Sequence, residues 1–310
     1  MAVAEPLAGH SSLRILNAAP DAGSLDVYIT AAADRIETSV PARAAAAYGE
    51  LSSALDLTSG TWRVRVTAAG SQTDLRLDVP DVAFGHREAL VLVLTPSRGG
   101  AMVNALLLRQ GGAVARLDGT QARVRVAAGV TASGAVTASH GTTVLMSAIG
   151  SPAVSEYAGV AAGAPTFNVS VNGNSVGAPA TALVAGGDYT LLVYGDVGTP
   201  QAALVEDDNR LPTVTTRAKV RLVNGVADLA NPLSMTVNAL PVASNVAVGT
   251  ASTPYVAVTA TEVGLISVTS AGLVTPVYSA ANQVLEAGKV YTIFVTGAAG
   301  AVAGTRSEDN

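Results

Sequence analysis

The sequence contains no cysteine, and only 13% of its 310 residues are charged and 4% aromatic. The absence of cysteine excludes disulfide bonds, thiolate metal sites and cysteine nucleophiles. The three histidines, His10, His86 and His140, lie in separate segments without the short paired spacings of metal sites. This spacing predicts surface or loop positions for them. The chain therefore offers little material for acid–base or metal chemistry.

Positive charge is also scarce. The net charge is −5 and no cluster of Lys and Arg is visible, which argues against a nucleic-acid partner. The chain has no unbroken apolar run of about 18 residues, so we expect no membrane span. Its first twelve residues, MAVAEPLAGHSS, lack the charged and apolar regions of a signal peptide.

The sequence contains three internal repeats. Three similar openings occur: LRILNAAPD from Leu13, VRVAAGVTA from Val124 and VRLVNGVAD from Val220. Apolar and polar residues alternate in each of them, which predicts a half-buried strand. Arg14, Arg125 and Arg221 would occupy matching positions that point away from the core of their own repeat.

Later parts of the repeats also match. One strand of each repeat carries a large apolar residue, Trp62, Phe167 or Ile266, and we expect these three to fill one core position. We expect the inward aromatic residues Trp62 and Phe167 to matter more for stability than any charged residue. The segments REALVLVL, GDYTLLVYG and KVYTIFVTG are continuously apolar, which favours strands covered on both faces. The remaining matched positions are two triplets: Tyr48, Tyr157 and Tyr255, and Gly85, Gly186 and Gly288.

This pattern of short strands and turns predicts an all-β chain of three tandem immunoglobulin-like or transthyretin-like antiparallel β-sandwich domains. The predicted boundaries are a flexible tail over 1–12, repeat 1 over 13–109, repeat 2 over 122–209 and repeat 3 over 218–310. Short exposed linkers are expected within Gln110–Thr120 and Asp208–Thr216.

The first repeat, LRILNAAPDAGSLDVYI, together with an EDDN stretch that leads into AKVRLVN, resembles a bacterial family of unknown function numbered 4397. The residues that carry the resemblance are Asn17, Pro20, Asp21, Asp26, Val27 and Tyr28. Repeat 2 departs most, with Ala128 in place of the Asn. The resemblance implies tandem sandwiches in secreted proteins and lipoproteins, and it supplies no catalytic residue because the family has no established activity.

The sequence contains one segment that matches the residue pattern of a catalytic motif. GNSVG, Gly173–Gly177, fits the G-x-S-x-G pattern of a nucleophile elbow around Ser175. The motif follows the alternating strand FNVSV, contains the hairpin signal Asn172-Gly173, and has no histidine after it. We therefore expect a hairpin and no catalytic serine.

Two other groups of polar residues have both a structural and a functional interpretation. Glu206, Asp207 and Asp208, with Glu308 and Asp309 at the matching place, are of the ligand type that Ca²⁺ prefers, although a hydrated loop is favoured. The residues around Asn17, Asp21, Asp26 and Tyr28 could bind a ligand, although they are also the types that stabilise turns, which is the favoured interpretation.

These observations favour a non-enzymatic, exported cell-envelope or surface module with a structural, adhesive or protein-binding role and no cofactor. The alternatives are an envelope protein that binds glycan or calcium and, more remotely, an esterase-like hydrolase. Partners could be proteins or further copies that add to exposed sheet edges. We expect a periplasmic, outer-membrane-anchored or extracellular location. We also expect a signal peptide, with or without a lipid-acceptor Cys, to be encoded directly upstream, and the C-terminus to coincide with the end of repeat 3.

Overall fold

The structure is a computed structural model that describes residues 5–310. It divides into two compact units. The first holds the chain up to Ala122 together with Val184–Gly187, and the second holds Arg123–Leu183 and Asp188–Asn310. Repeats 2 and 3 therefore share one unit. The division into three domains stays a prediction.

Repeat 1 forms two sheets. The first has the order β4-β1-β7-β8-β9 and the second the order β3-β2-β5-β6. A short 3-10 turn covers Ile36–Thr38. The strands are β1 His10–Asn17, β2 Leu25–Thr30, β3 Arg43–Ala46, β4 Leu55–Thr58, β5 Gly60–Ala68, β6 Leu75–Phe84, β7 Ala89–Pro96, β8 Val103–Arg109 and β9 Val114–Leu117.

Repeat 2 repeats this plan. Its first sheet has the order β13-β10-β17-β18 with β14 also paired to β10, and its second the order β12-β11-β15-β16. A 3-10 turn covers Thr131–Ser133. The strands are β10 Gln121–Val130, β11 Ala135–His140, β12 Thr143–Gly150, β13 Ala153–Val154, β14 Ala158–Ala161, β15 Phe167–Val171, β16 Asn174–Val176, β17 Asp188–Gly195 and β18 Gln201–Asp207.

Repeat 3 follows the same order. Its first sheet is β22-β19-β26-β27 with β23 also paired to β19, and its second is β21-β20-β24-β25. The strands are β19 Arg217–Ala227, β20 Leu233–Val237, β21 Leu240–Val246, β22 Thr250–Ala251, β23 Val256–Thr259, β24 Thr261–Ser270, β25 Tyr278–Leu285, β26 Val290–Ala298 and β27 Ala301–Glu308.

The predicted all-β sandwich fold is confirmed. Each first sheet contains one parallel pair, formed by the opening strand and the continuously apolar strand: β1 with β7, β10 with β17 and β19 with β26. In repeats 1 and 3, one buried apolar cluster draws side chains from both sheets, as a sandwich requires. Leu13 and Val27 show this in repeat 1, and Leu222 and Met235 show it in repeat 3.

The continuously apolar strands are covered on both faces only in repeats 2 and 3. Every residue of β17, Asp188–Gly195, is buried, and so are the first seven residues of β26. In repeat 1 the burial of β7 alternates between buried and half-buried residues, so the prediction of two covered faces is wrong there. Apolar content alone does not distinguish these cases, because apolar residues occupy both faces of the strand in each repeat.

The register corrects the match between the large core residues. Phe167 pairs with His140 and Ile266 pairs with Val237, and the corresponding pair in repeat 1 is Val64 with Ile29. Trp62 lies two residues earlier and is only half-buried against the core of repeat 1. Trp62 and Phe167 therefore do not fill one shared position.

One serine in each repeat shows which residues correspond in the segments around the tyrosines. The hydroxyl oxygens of Ser52, Ser155 and Ser252 accept hydrogen bonds from backbone N–H groups of the opening strands at 2.9, 2.9 and 3.0 Å. Tyr157 and Tyr255 follow their serines, whereas Tyr48 precedes Ser52 and is 62% exposed. The match of Tyr48 with the other two tyrosines is therefore wrong, and the segment after Ser52 contains no tyrosine before β4.

The glycine match also shifts. Gly186 and Gly288 donate backbone hydrogen bonds to the residues that begin the opening strands, and Arg87 makes the same bond in repeat 1. All three have left-handed backbone, with φ of 74°, 79° and 56° respectively. The residue that corresponds to the two glycines is Arg87 and not Gly85.

The segment predicted as the first linker is ordered. Gln110–Thr120 contains β9, which pairs with β8 and extends the first sheet of repeat 1. In the second predicted linker, Asn209 is buried and its side-chain amide donates to Asp188 at 2.9 Å. The predicted tail over 1–12 overlaps β1, which begins at His10, and its residues 1–4 lie outside the described residues.

Candidate functional site

Polar side chains gather where the first sheets of repeats 2 and 3 face each other within the second unit. Arg125, Tyr157, Thr190 and Asp207 come from repeat 2, and Arg221, Tyr255, Thr292 and Asp309 come from repeat 3. These eight residues are called the coupling cluster below. The side chains of its two arginines and two aspartates are 2% exposed or less.

Ion pairs cross from one repeat to the other. Arg125 Nη1 donates to Asp309 Oδ1 at 2.6 Å, and Arg221 Nη2 donates to Asp207 Oδ1. Each arginine also donates from Nε to a threonine of its own repeat, Arg125 to Thr190 and Arg221 to Thr292, both at 2.9 Å. The two halves of the cluster thus repeat the same contacts, as in a two-fold symmetric interface.

Hydroxyl groups satisfy the remaining carboxylate oxygens. Tyr157 and Thr190 donate to Asp207 Oδ2 at 2.6 and 2.7 Å. Thr292 and Tyr255 donate to Asp309 Oδ2 at 2.5 and 3.3 Å. Because all four carboxylate oxygens accept hydrogen bonds, the two buried charges are well compensated.

The tyrosine rings also cover the arginines. The Arg125 guanidinium carbon lies 4.7 Å from the ring centre of Tyr157, and that of Arg221 lies 4.6 Å from the ring centre of Tyr255. This is the geometry of a cation–π contact, which is stronger when the cation is out of water.

Titration is displaced away from neutral pH. Burial alone would raise the pKa of Asp207, but Arg221, Arg125 and the hydroxyls of Tyr157 and Thr190 hold it below its usual value. Burial and the nearby carboxylates raise the pKa values of Tyr157 and Tyr255 well above their usual value. At neutral pH Asp207 and the two arginines are therefore charged and the two tyrosines are neutral. None of these five groups is poised for proton transfer near pH 7.

Apolar side chains continue the same interface. Ala127, Leu192, Tyr194, Val223 and Phe294 form one buried cluster, with Val154, Ala203 and Ala251 packed against it. Burying them excludes water from the neighbouring ion pairs and strengthens the interaction between the charges. The chemistry available here is structural, because every charged group of the cluster is engaged by another side chain of the chain itself.

The structure brings the three predicted acidic residues to different environments. Asp207 belongs to the coupling cluster, whereas Asp208 pairs with Arg210 at 2.7 Å and with Lys219 at 3.2 Å. Glu206 is exposed, on the strand face opposite Asp207. Within residues 5–310, no group of three or more His, Cys, Asp or Glu side chains is arranged to hold a metal ion. Calcium binding stays a prediction.

Ser175 lies in a hairpin. Asn172 and Gly173 have φ of 49° and 82° and form the two-residue turn between β15 and β16, as the Asn-Gly signal predicts. Ser175 is exposed and pairs with Ser170. The hairpin prediction is confirmed, and the geometry is not the strand-to-helix turn of a nucleophile elbow.

The residues around Asn17 stabilise turns. The side-chain amide of Asn17 donates to the carbonyls of Gly23 and Ala46 at 3.0 Å, and its oxygen accepts from Ala19. The carboxylate of Asp26 accepts from the backbone of Ala45 and Gly70. These contacts agree with the structural interpretation.

The histidines do not share one environment. His10 pairs with Asp56 at 3.0 Å, and the ring of His86 accepts from the Gly9 backbone. His140 is buried, with its ring centre 5.1 Å from that of Phe167, and burial lowers its pKa. The prediction of a surface position is wrong for His140, because it occupies an inward register position of β11.

A family model described as Domain of unknown function (DUF4397) matches the chain over residues 11–137 and 122–231. The two matches cover more than half of the chain. The protein belongs to the DUF4397 family. No curated protein matches the sequence.

Solved structures give weaker matches to this DUF4397 protein. A candidate cell adhesion protein from Bacteroides uniformis matches with 10% identity and a TM-score of 0.28, over 64% of this chain and 99% of that one. The Bacillus anthracis TIE protein matches with 11% identity and a TM-score of 0.20, over 93% of this chain and 50% of that one. Neither likeness supports an argument about function. No helix among residues 5–310 is long and apolar enough to span a membrane.

Sequence reasoning did not find the coupling cluster of this DUF4397 protein. Its signal was a set of three residues that is complete in repeats 2 and 3 but not in repeat 1: Arg in the opening strand, Thr in the apolar strand, and Asp at or directly after the end of the next strand. Repeat 1 keeps only Arg14. Val91 and Gln110 occupy the corresponding Thr and Asp positions in the register.

Proposed function

We propose that this DUF4397 protein is a non-enzymatic structural module of the bacterial cell envelope or surface, in which repeats 2 and 3 act as one rigid spacer that presents protein-binding surfaces. The observation that carries the proposal is the coupling cluster. Its two inter-repeat ion pairs and the surrounding apolar side chains hold one sandwich at a defined angle to the next.

The absence of an enzymatic role is part of the proposal. The polar groups of the coupling cluster are engaged with one another, and Ser175 lies on an exposed hairpin. Two cavities among the described residues, of about 280 and 190 Å³, are each smaller than the ~300–1,000 Å³ usual for small-molecule sites. These features favour a surface used for contact over a pocket used for chemistry.

Double electron–electron resonance, which measures the distance between two spin labels, tests the rigidity of repeats 2 and 3. Because the chain has no cysteine, two spin labels can be placed at introduced cysteines only, with Asn168→Cys in repeat 2 and Glu262→Cys in repeat 3. We expect a single narrow distance distribution that broadens on Asp207→Ala. A pair within one repeat, Asn168→Cys with Ser147→Cys, is the control and should stay narrow in both backgrounds. A broad distribution in the unmutated background contradicts a rigid spacer.

Enzymatic and ligand-binding functions are tested with the same full chain. We expect no turnover of aryl ester substrates, no change on Ser175→Ala, and no shift of the melting temperature with calcium or glycans. Ester hydrolysis that Ser175→Ala abolishes would support the hydrolase, and a stabilisation by calcium that Asp208→Ala removes would support the ligand-binding alternative.

Location is tested in the source cells. We expect the protein in the envelope or extracellular fraction. A protein found only in the cytosolic fraction would overturn export.

A further inference from the structure

The first sheet of repeat 1 carries an apolar outer face. Successive residues of its strands alternate between the sandwich core and this face, and those on the face are half-buried in β1, β7 and β8. Val114 of β9 adjoins them and is 59% exposed. The apolar residues of the face are Leu16, Val91, Val93, Leu106, Leu108 and Val114.

The same face is an interface in the other two repeats. In the parallel pairs, Leu16 opposite Val93 corresponds to Ala127 opposite Leu192 and to Val223 opposite Phe294. The residues of repeats 2 and 3 at these positions form the apolar cluster that joins the two sheets. Leu16 is bulkier than Ala127 and Val223, whereas Val93 is smaller than Leu192 and Phe294, so repeat 1 presents an apolar pair of comparable total size.

The polar contacts of the interface have a reduced counterpart in repeat 1. Arg14 occupies the position of Arg125 and Arg221, and its Nε is buried without a hydrogen-bond partner among the described residues. Gln110 occupies the position of Asp207 and Asp309, because its backbone N–H bonds to Ala89 as that of Asp309 bonds to Val290. Gln110 is exposed.

We infer that this face binds the same face of a second copy of the chain, in a two-fold symmetric dimer that reproduces the packing of repeat 2 on repeat 3. Arg125 reaches Asp309 across the existing interface, so Arg14 of one copy would reach the side-chain oxygen of Gln110 in the other. A self-complementary face is what a two-fold interface requires. Here the chain already shows that two such faces pack together.

The inference goes beyond the proposed function, since a dimer can form whether or not the protein is exported or acts as a spacer. Light scattering after size exclusion, and sedimentation velocity, measure the mass from about 1 to 100 µM chain. We expect a species of twice the 30.8 kDa chain mass at the upper end of this range. A mass of one chain at every concentration overturns the inference.

Leu106→Asp places a charge on the proposed interface. It should weaken the dimer at least about tenfold, because an unpaired carboxylate would be buried. Val263→Asp is the matched control: Val263 is 68% exposed on β24 of repeat 3, and its replacement should leave the dimer unchanged. If both variants dimerise like the parent, another surface mediates the association and the inference fails.

The polar pair gives a test that does not depend on apolar replacement. Gln110→Asp should tighten the dimer and make it sensitive to salt, because it recreates the Arg–Asp pair of repeats 2 and 3. Arg14→Asp should weaken the dimer, and combining it with Gln110→Arg should restore it. Additive weakening in the double variant contradicts the contact between Arg14 and Gln110.

Cross-linking tests the face in the parent fold. Val93→Cys should give a disulfide-linked dimer on mild oxidation, since no other cysteine competes. Val263→Cys should cross-link far less. Equal cross-linking at the two positions would indicate random collision and would overturn the proposed interface.

Discussion

Asp207 is a carboxylate that the structure places entirely out of water, with donors on both of its oxygens. Its neighbour Asp208 is 34% exposed and pairs with the flexible side chains of Arg210 and Lys219. The two residues are adjacent in sequence and of one type. Their contributions to stability should nevertheless differ severalfold, because removing one member of a buried pair leaves the other charge without compensation.

We predict that Asp207→Ala lowers the free energy of unfolding of the second unit by about 3–5 kcal/mol. Asp208→Ala, the matched control, should cost less than about 1 kcal/mol, because its pairs with Arg210 and Lys219 are only partly buried and such pairs contribute little. Denaturant unfolding followed by far-ultraviolet circular dichroism measures both. Fluorescence of Trp62, the one tryptophan, reports the first unit, and its transition should not move. Equal losses in the two variants would contradict the role assigned to the coupling cluster.

The large cost expected for Asp207→Ala differs from the expectation from sequence that core aromatic residues matter more than any charged residue, and that expectation stays a prediction. Trp62 is half-buried, with its ring N–H bonded to the Thr58 carbonyl at 3.0 Å. The sequence could not show that Asp207 matters most for stability, because the EDDN segment contains three acidic side chains and its local pattern does not show which one is buried. Only the facing repeat, through Arg221, distinguishes the one that is buried.

The turn before the apolar strand shows what one element requires of its sequence. Gly186, Gly288 and Arg87 all adopt left-handed backbone at this turn. Such backbone costs a residue with a side chain about 1–2 kcal/mol, whereas glycine adopts it freely.

We predict that Gly288→Ala lowers the free energy of unfolding by about 1 kcal/mol. No atom lies within 4 Å of the added methyl group, so the loss measures backbone conformation alone. Gly177→Ala is the control: its methyl group is equally unobstructed, and its φ lies outside the left-handed region. It should leave stability within about 0.5 kcal/mol of the parent. A loss in the control as large as that for Gly288→Ala would show that the turn is not the cause.

Strand types and order at this scale were largely predictable, because alternation, Asn-Gly and glycine positions are local signals. The positions of the corresponding core and turn residues in the three repeats were less predictable. Val64, Trp62, Phe167 and Ile266 are all large and apolar within similar strands, and only the pairing register identifies which of them correspond. Repeat 1 also hides its turn position, since Arg87 carries none of the preference for left-handed backbone that glycine shows.

For the whole molecule, the coupling cluster makes the stability of the second unit depend on pH at both ends of the range. The pKa of Asp207 is lowered in the folded state, so its contribution is present above the unfolded value, near 3.8, and is lost as the pH falls through the folded value. The pKa values of Tyr157 and Tyr255 are raised in the folded state. Their contribution is therefore present below the unfolded value, near 10.0, and is lost as the pH rises above it.

We predict that the melting temperature of the second unit is highest between about pH 5 and 9 and falls on both sides. Tyr157→Phe should lower stability at neutral pH. It should also make the fall of the melting temperature above about pH 10 less steep, because it removes one of the two tyrosine hydroxyls of the coupling cluster. Tyr48→Phe changes an exposed ring and should leave the profile unaltered. Calorimetry from pH 3 to about 11 measures the profile. An alkaline fall that is as steep in Tyr157→Phe as in the parent would contradict the predicted linkage.

The sequence by itself determined the all-β class, the three repeats, the sandwich pattern and the hairpin at Asn172-Gly173, because strand alternation and turn chemistry act over a few neighbouring residues. It also indicated the family, through local motifs around Asn17 and Asp26. Only the tertiary structure decided that Arg125 and Arg221, which point away from their own cores, are buried against the facing repeat. Burial on that second face depends on which sheets meet, and contacts between residues such as Arg125 and Asp309, far apart in the chain, leave no periodic signal in either segment.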